Sequence, residues 1–241
     1  MTMTVKQLIS LFIAVATCFT AFAEKDPDDY HVQVVLANGD TITGYIHNDL
    51  KTGLKNLFSK TGSLRQYINV GSELKGGETK RYSASEVREY RFLEPTEAYP
   101  DGSVCISEII NAPKMFKALN YIRGFVWQLN RRDSGSILSW DVWESTGGQN
   151  STSRLVPATG VKFKGAPAAF IIAVNGRFND TLLRYYLNKK YPELKKAWEE
   201  YYHKGKDAKA HRKELLDNPS TALLFYENFI ADNPPLNDSK E

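Results

Sequence analysis

Between Val32 and Ile46 apolar residues fall on alternate positions: Val32, Val34 and Leu36, then Asn38-Gly39, then Ile42, Gly44 and Ile46. A period of two interrupted by Asn-Gly predicts a β-hairpin. Loop length sets its register. A two-residue turn pairs Val35 with Ile42 and leaves Val34 and Leu36 beside Thr43 and Thr41. A three-residue loop, Ala37-Asn38-Gly39 with Gly39 left-handed, pairs Val34 with Ile42 and Val32 with Gly44. Only that register unites the apolar stripes on one face, so it is the one expected.

Strand-like segments continue at Leu64 to Val70 and Glu86 to Leu93; in the latter Val87, Glu89, Arg91 and Leu93 share one face and Tyr90 and Phe92 the other. Further strands are predicted at 104–109, 124–130, 137–143, 152–156 and 161–164, with a buried one at 168–174. Their turns are Asp133-Ser134-Gly135, Gly147-Gly148 and Asn175-Gly176. In 124–130, Phe125, Trp127 and Leu129 form one apolar face that reads as core.

From Phe178 the spacing becomes helical. Asn179 or Asp180 caps a helix carrying Leu182, Leu183, Tyr186 and Leu187. Pro192 opens a second helix with Leu194, Trp198 and Tyr201, stopped at Gly205. A third runs from about Ala208 to Leu216. The last follows Asn218-Pro219 and carries Ala222, Leu223, Tyr226, Phe229 and Ile230, and Pro234-Pro235 ends order. The fold class expected is therefore α+β. A small antiparallel, barrel-like β unit occupies 24–100, a second antiparallel β unit 101–176, a helical segment 177–233 and a disordered end 234–241. Two prolines, Pro95 and Pro100, mark the boundary between the β units.

The first 23 residues stand apart. Lys6 is their one charge, the run Leu8 to Phe22 is apolar, and Ala21-Phe22-Ala23 precedes Glu24. The run is too short to span a bilayer and ends in a small-x-small pattern, so it reads as a signal peptide cleaved between Ala23 and Glu24. No later apolar run is long enough to span. Export to the periplasm, the cell surface or the exterior is expected, and cleavage leaves Cys105 as the one cysteine, without a disulfide partner.

Composition narrows the chemistry. Of 241 residues 42% are hydrophobic, 12% aromatic and 24% charged, which excludes a disordered chain; the net charge of +3 offers no strong basic field for nucleic acid. His203 and His211 are eight apart across Gly205 rather than at helical metal-pair spacing, and no metal or cofactor is expected. Cys105 alternates with Val104 and Ile106 and reads as a buried, inert thiol. Neither a Gly-x-Ser-x-Gly elbow nor a phosphate loop occurs. Asp133, Asp141 and Glu144 are the carboxylates that a glycan- or peptide-cleaving hydrolase would draw on.

Trp140 and Trp143, three apart in a strand, point to opposite faces, so one is core and the other free to bind. With Arg131 and Arg132 on the same hairpin they form the candidate binding site, suited to a glycan, a peptide or another envelope protein.

Two resemblances add to this. Val32-x-Val34-x-Leu36-x-Asn38-Gly39, Gly44-Tyr45-Ile46 and Asp49 resemble the opening strands of an Sm-like barrel. The resemblance implies a small barrel, but Asp49 stands one residue closer to the glycine than the Sm pattern wants and Leu50-Lys51 follows it. The RNA-binding residues are therefore not carried over. The segment Asn38 to Ile46, with the later Tyr186 to Leu194, is also similar to uncharacterised secreted proteins of Bacteroides-type bacteria, which implies an envelope or extracellular location. The function expected is a non-catalytic binding or structural module. A carboxylate hydrolase is the first alternative and an Sm-like nucleic-acid binder the second.

Overall fold

A computed structural model describes residues 30–46, 64–73, 77–94, 104–112, 118–145 and 153–233. Eleven strands form one antiparallel sheet that stays open. In chain order they are β1 (Tyr30–Leu36), β2 (Thr41–Ile46), β3 (Tyr67–Gly71), β4 (Thr79–Ser83), β5 (Val87–Phe92), β6 (Val104–Asn111), β7 (Tyr121–Arg132), β8 (Gly135–Ser145), β9 (Ser153–Phe163), β10 (Phe170–Val174) and β11 (Arg177–Phe178). In space the order is β11-β10-β9-β8-β7-β6-β5-β1-β2-β3-β4. The signal-peptide cleavage site, Ala23-Glu24, and the Gly147-Gly148 turn lie outside the described residues.

The first hairpin has the expected register. Val34 pairs with Ile42 and Val32 with Gly44. The Leu36 N–H donates to the Asp40 carbonyl at 2.8 Å, closing a three-residue loop in which Gly39 has φ +96°. That φ lies on the side of the map that side chains avoid, which is why glycine ends the loop.

β4 and β5 stand at opposite ends of the group β5-β1-β2-β3-β4, yet only residues 84–86 join them. Four Cα steps reach roughly 15 Å, and a flat sheet would hold these strands about 19 Å apart. The first five strands must therefore curl, and their concave side holds Val32, Val34, Ile68, Tyr82, Tyr90 and Phe92. No β4–β5 ladder closes the curl into a barrel among the described residues. β6 to β10 curl as well, so that Ile110 bridges Ala169 from four strands away, around Val126, Leu138, Trp140 and Ala158.

Several strand expectations are corrected. Val87 shares the buried side with Tyr90 and Phe92 because a bulge at Val35/Leu36 resets the alternation opposite it. Phe125 and Trp127 do pack in the first curl, but a bulge between Gln128 and Asn130 turns Leu129 outward, where it is 57% exposed. The segments 152–156 and 161–164 are one strand, β9, running through Pro157. Its carbonyl accepts from the Asn175 N–H beyond the end of β10. The missing N–H of Pro157 therefore faces a position where the ladder has already ended. The two β units are also continuous, because β5 pairs with β6 across the expected boundary.

Cys105 sits in that continuity, 2% exposed beside Tyr90. Burial pushes its thiol up to about 12, outweighing the hydrogen bond from Tyr90. The folded state thus holds a proton that the unfolded chain releases near pH 9. Stability contributed by this group is complete below that pH and falls as pH rises toward 12. At pH 8 the native protein should react with a disulfide reagent orders of magnitude more slowly than the denatured chain. Equal rates would show that the strand pairing at Cys105 is open in solution.

Among the described residues four α-helices cover one face of β8 to β10: α1 (Thr181–Lys190), α2 (Pro192–Glu199), α3 (Ala208–Asp217) and α4 (Thr221–Asp232), with a π-helical turn at Glu200–Lys204 after α2. Tyr186 of α1 stacks on Phe170, and Tyr226 of α4 on Phe163, each at 4.4 Å. The core between helices and sheet gathers Ile137, Val161, Ile172, Leu183, Leu187, Trp198 and Leu223.

Candidate functional site

The residues proposed from sequence do not assemble. Trp140 is 5% exposed, inside the second curl, its ring lying where a side chain at Gly160 would stand. Trp143 is on the other face, half-buried, with its indole N–H shielded and lacking a partner among the described residues. Arg131 and Arg132 flank the β7–β8 turn, opposite Ser136 and Gly135. Trp143 lies eight residue steps along the strand from Gly135, about 27 Å, so arginines and tryptophan cannot share one ligand of modest size. Arg132 is engaged elsewhere, donating to Glu227 of α4 at 3.2 Å. The carboxylates are dispersed too. Asp133 is in the turn, Asp141 and Glu144 alternate to opposite faces, and Glu144 pairs with Arg154 at 3.0 Å.

What the structure brings together is in the helices. Asp180, at the start of α1, is 2% exposed. Of the two cap candidates Asn179 and Asp180 it is Asp180 that occupies the cap position, but its side chain makes no capping bond. It turns inward. The Trp198 indole N–H donates to Oδ2 at 2.7 Å, His203 Nε2 meets the same oxygen at 2.7 Å, and Arg184 Nε donates to Oδ1 at 3.1 Å. Trp198 and His203 are five residues apart, which on an α-helix sets them roughly 140° apart around the axis. The wider π-helical turn, in which the Gly205 N–H donates to the Glu200 carbonyl at 2.7 Å, narrows that angle and lets both reach Asp180. Arg212 of α3 then donates to the Tyr202 carbonyl at 2.7 Å. The carboxylate hub thus fixes α1 against α2, and Arg212 fixes α3 against the π turn.

This frame holds a groove of about 870 Å³ between α2, the π turn, α3 and α4. Tyr201, Leu224, Phe225 and Phe229 supply apolar wall, with Tyr201 38% and Leu224 39% exposed. His211 stacks flat on Tyr201 at 3.7 Å, and its Nδ1–H donates to the Tyr201 carbonyl at 3.0 Å, fixing that ring. Burial, and then the Glu214 carboxylate, raise the Tyr201 phenol above its usual value. Glu193, Glu200, Glu214 and Asp232 stand on the rim with Lys196. Outside it, Glu199 is held below the usual carboxylate range by its hydrogen bond to Lys195, with Lys204 adding to the effect.

One sequence signal pointed here. The last helix carries Leu224 and Phe225 in addition to the stripe Ala222, Leu223, Tyr226 and Phe229, so its apolar arc is wider than one contact with a sheet needs. Among the described residues no three His, Cys, Asp or Glu side chains gather to hold a metal, and no helix is long and apolar enough to cross a membrane. Comparison with protein-family models, curated proteins and solved structures finds no match.

Proposed function

We propose that this chain is an exported binding module of a bacterial envelope or its exterior, acting without catalysis, and that the helical groove is its ligand face. The observation that carries the reading is the apolar wall of exposed Leu224 and Tyr201 with half-buried Phe225 and Phe229 between them. A monomer gains by covering such a surface, and a concave one held on a rigid frame is suited to a ligand. The curl of the first five strands supports reading them as a barrel-like scaffold that resembles an Sm-like unit in its opening hairpin and serves as framework rather than as an RNA surface.

Two measurements test the reading. N-terminal sequencing of the product exported by a Bacteroides-type host should begin at Glu24; a product that keeps residues 1–23 removes the export half. For the binding half, purified protein carrying benzoylphenylalanine at Leu224 is irradiated in envelope extract, alongside protein carrying it at exposed Lys209. A discrete adduct is expected from position 224 alone. No adduct, or the same adduct from both positions, removes the groove as ligand face.

A further inference from the structure

We infer that the groove takes a cationic amphipathic peptide segment of a partner protein, apolar side chains on its floor and Lys or Arg against its rim. This rests on the groove being the ligand face, and the charge pattern carries it further. Glu193, Glu200, Glu214 and Asp232 line the groove and none forms an ion pair among the described residues. Among the described residues that line it, Lys196 is the one base. The same helices do not lack cations. Glu199, facing α1 rather than the groove, meets Lys195 at 3.1 Å, Lys204 at 3.4 Å and Arg184 at 3.6 Å, and Glu227 meets Arg132 at 3.2 Å. The ion-paired cations of these helices thus lie away from the groove, where four carboxylates face one lysine and make no ion pair among the described residues. A low-dielectric wall focuses such a field.

Size selects a peptide over a small cation. Glu193 to Glu200 and Leu224 to Asp232 each span roughly 10–12 Å of helix, two turns of a docked helix in the helix-in-groove mode. An anionic membrane surface or a nucleic acid would meet the same carboxylates as repulsion.

The test uses the purified chain and fluorescein-labelled synthetic helices of about 14 residues. One is built of Leu and Lys, one of Leu and Glu, and one of Ser and Lys. The Leu/Lys helix is expected to bind at least roughly tenfold more tightly than either of the others, and to weaken as salt rises from about 0.05 to 0.5 M. Glu214→Lys with Asp232→Lys, both on exposed positions, should weaken it about tenfold and favour Leu/Glu, with the thermal transition unchanged. Leu224→Ser should weaken binding of every helix. Equal binding of Leu/Lys and Leu/Glu, both lost in Leu224→Ser, would overturn the cationic inference and leave the groove reading standing. Binding of none, or binding indifferent to Leu224→Ser, would overturn both.

Discussion

Trp198→Ala is expected to lower the unfolding free energy by about 3–5 kcal/mol. The side chain is fully buried and its ring meets Tyr202 at 4.3 Å, Phe225 at 5.3 Å and Phe163 at 6.3 Å, so deletion leaves a hole where helices and sheet meet. It also strips one donor from Asp180, whose remaining partners Arg184 and His203 are about a third and a quarter exposed. Trp198→Phe separates the two effects. It keeps most of the volume and removes the indole N–H, at an expected cost of about 1–3 kcal/mol. Asp180→Ala should cost less in the Trp198→Phe background than in the natural protein, because the shared hydrogen bond is already gone. Urea denaturation followed by far-ultraviolet circular dichroism measures the four variants against the natural protein. A loss below about 1 kcal/mol for Trp198→Ala, or strict additivity of Asp180→Ala with Trp198→Phe, would show that the Asp180 hub does not join the helices.

The sequence was legible where one local rule decided the outcome. Asn38-Gly39 between two apolar stripes admits one register that buries both, and the hairpin has it. The burial of Cys105 followed from its place between Val104 and Ile106. The helix sequence from Thr181 to Asp232 followed from Pro192, Gly205 and Pro219. Legibility failed where a distant partner decided. Alternation placed Leu129 in the core, and only the bulge opposite Leu138 and Ile137 turns it out. Two prolines between Leu93 and Gly102 signalled a boundary, but strand pairing of Tyr90 with Cys105 carries the sheet across it. The tryptophans were correctly set on opposite faces. Nothing local said that the arginines sit at the far end of the same hairpin from Trp143, and counting residues along the strands would have. Asp180 reads as a cap because cap preference is local, whereas its three actual partners lie 4, 18 and 23 residues further along the chain.

Phe125→Ala is expected to cost about 3–5 kcal/mol and to lower the stability of both curled halves together. Phe125 belongs to β7, yet its 5% exposed ring lies in the core of the first curl, 5.5 Å from Tyr90. Its backbone N–H donates to the Arg65 carbonyl at 2.8 Å, so main chain as well as side chain crosses the junction. Trp127 follows on the same face, stacked on Phe92 at 5.4 Å, and reports on the first curl, while Trp198 reports on the helices. With the other tryptophans replaced by phenylalanine, these two probes should give coincident unfolding curves, shifted together by Phe125→Ala. Leu129→Ala, on the exposed bulge, is the control and should stay within about 0.5 kcal/mol. A Trp127 curve that moves while the Trp198 curve stays fixed would mean that the continuous sheet is not one cooperative unit. The division at the prolines would then be a thermodynamic boundary despite the β5–β6 ladder. The expected coincidence follows from where the strand sits: Phe125 packs in the first curl while the next residue of β7, Val126, packs in the second, so β7 cannot leave one core without disturbing the other.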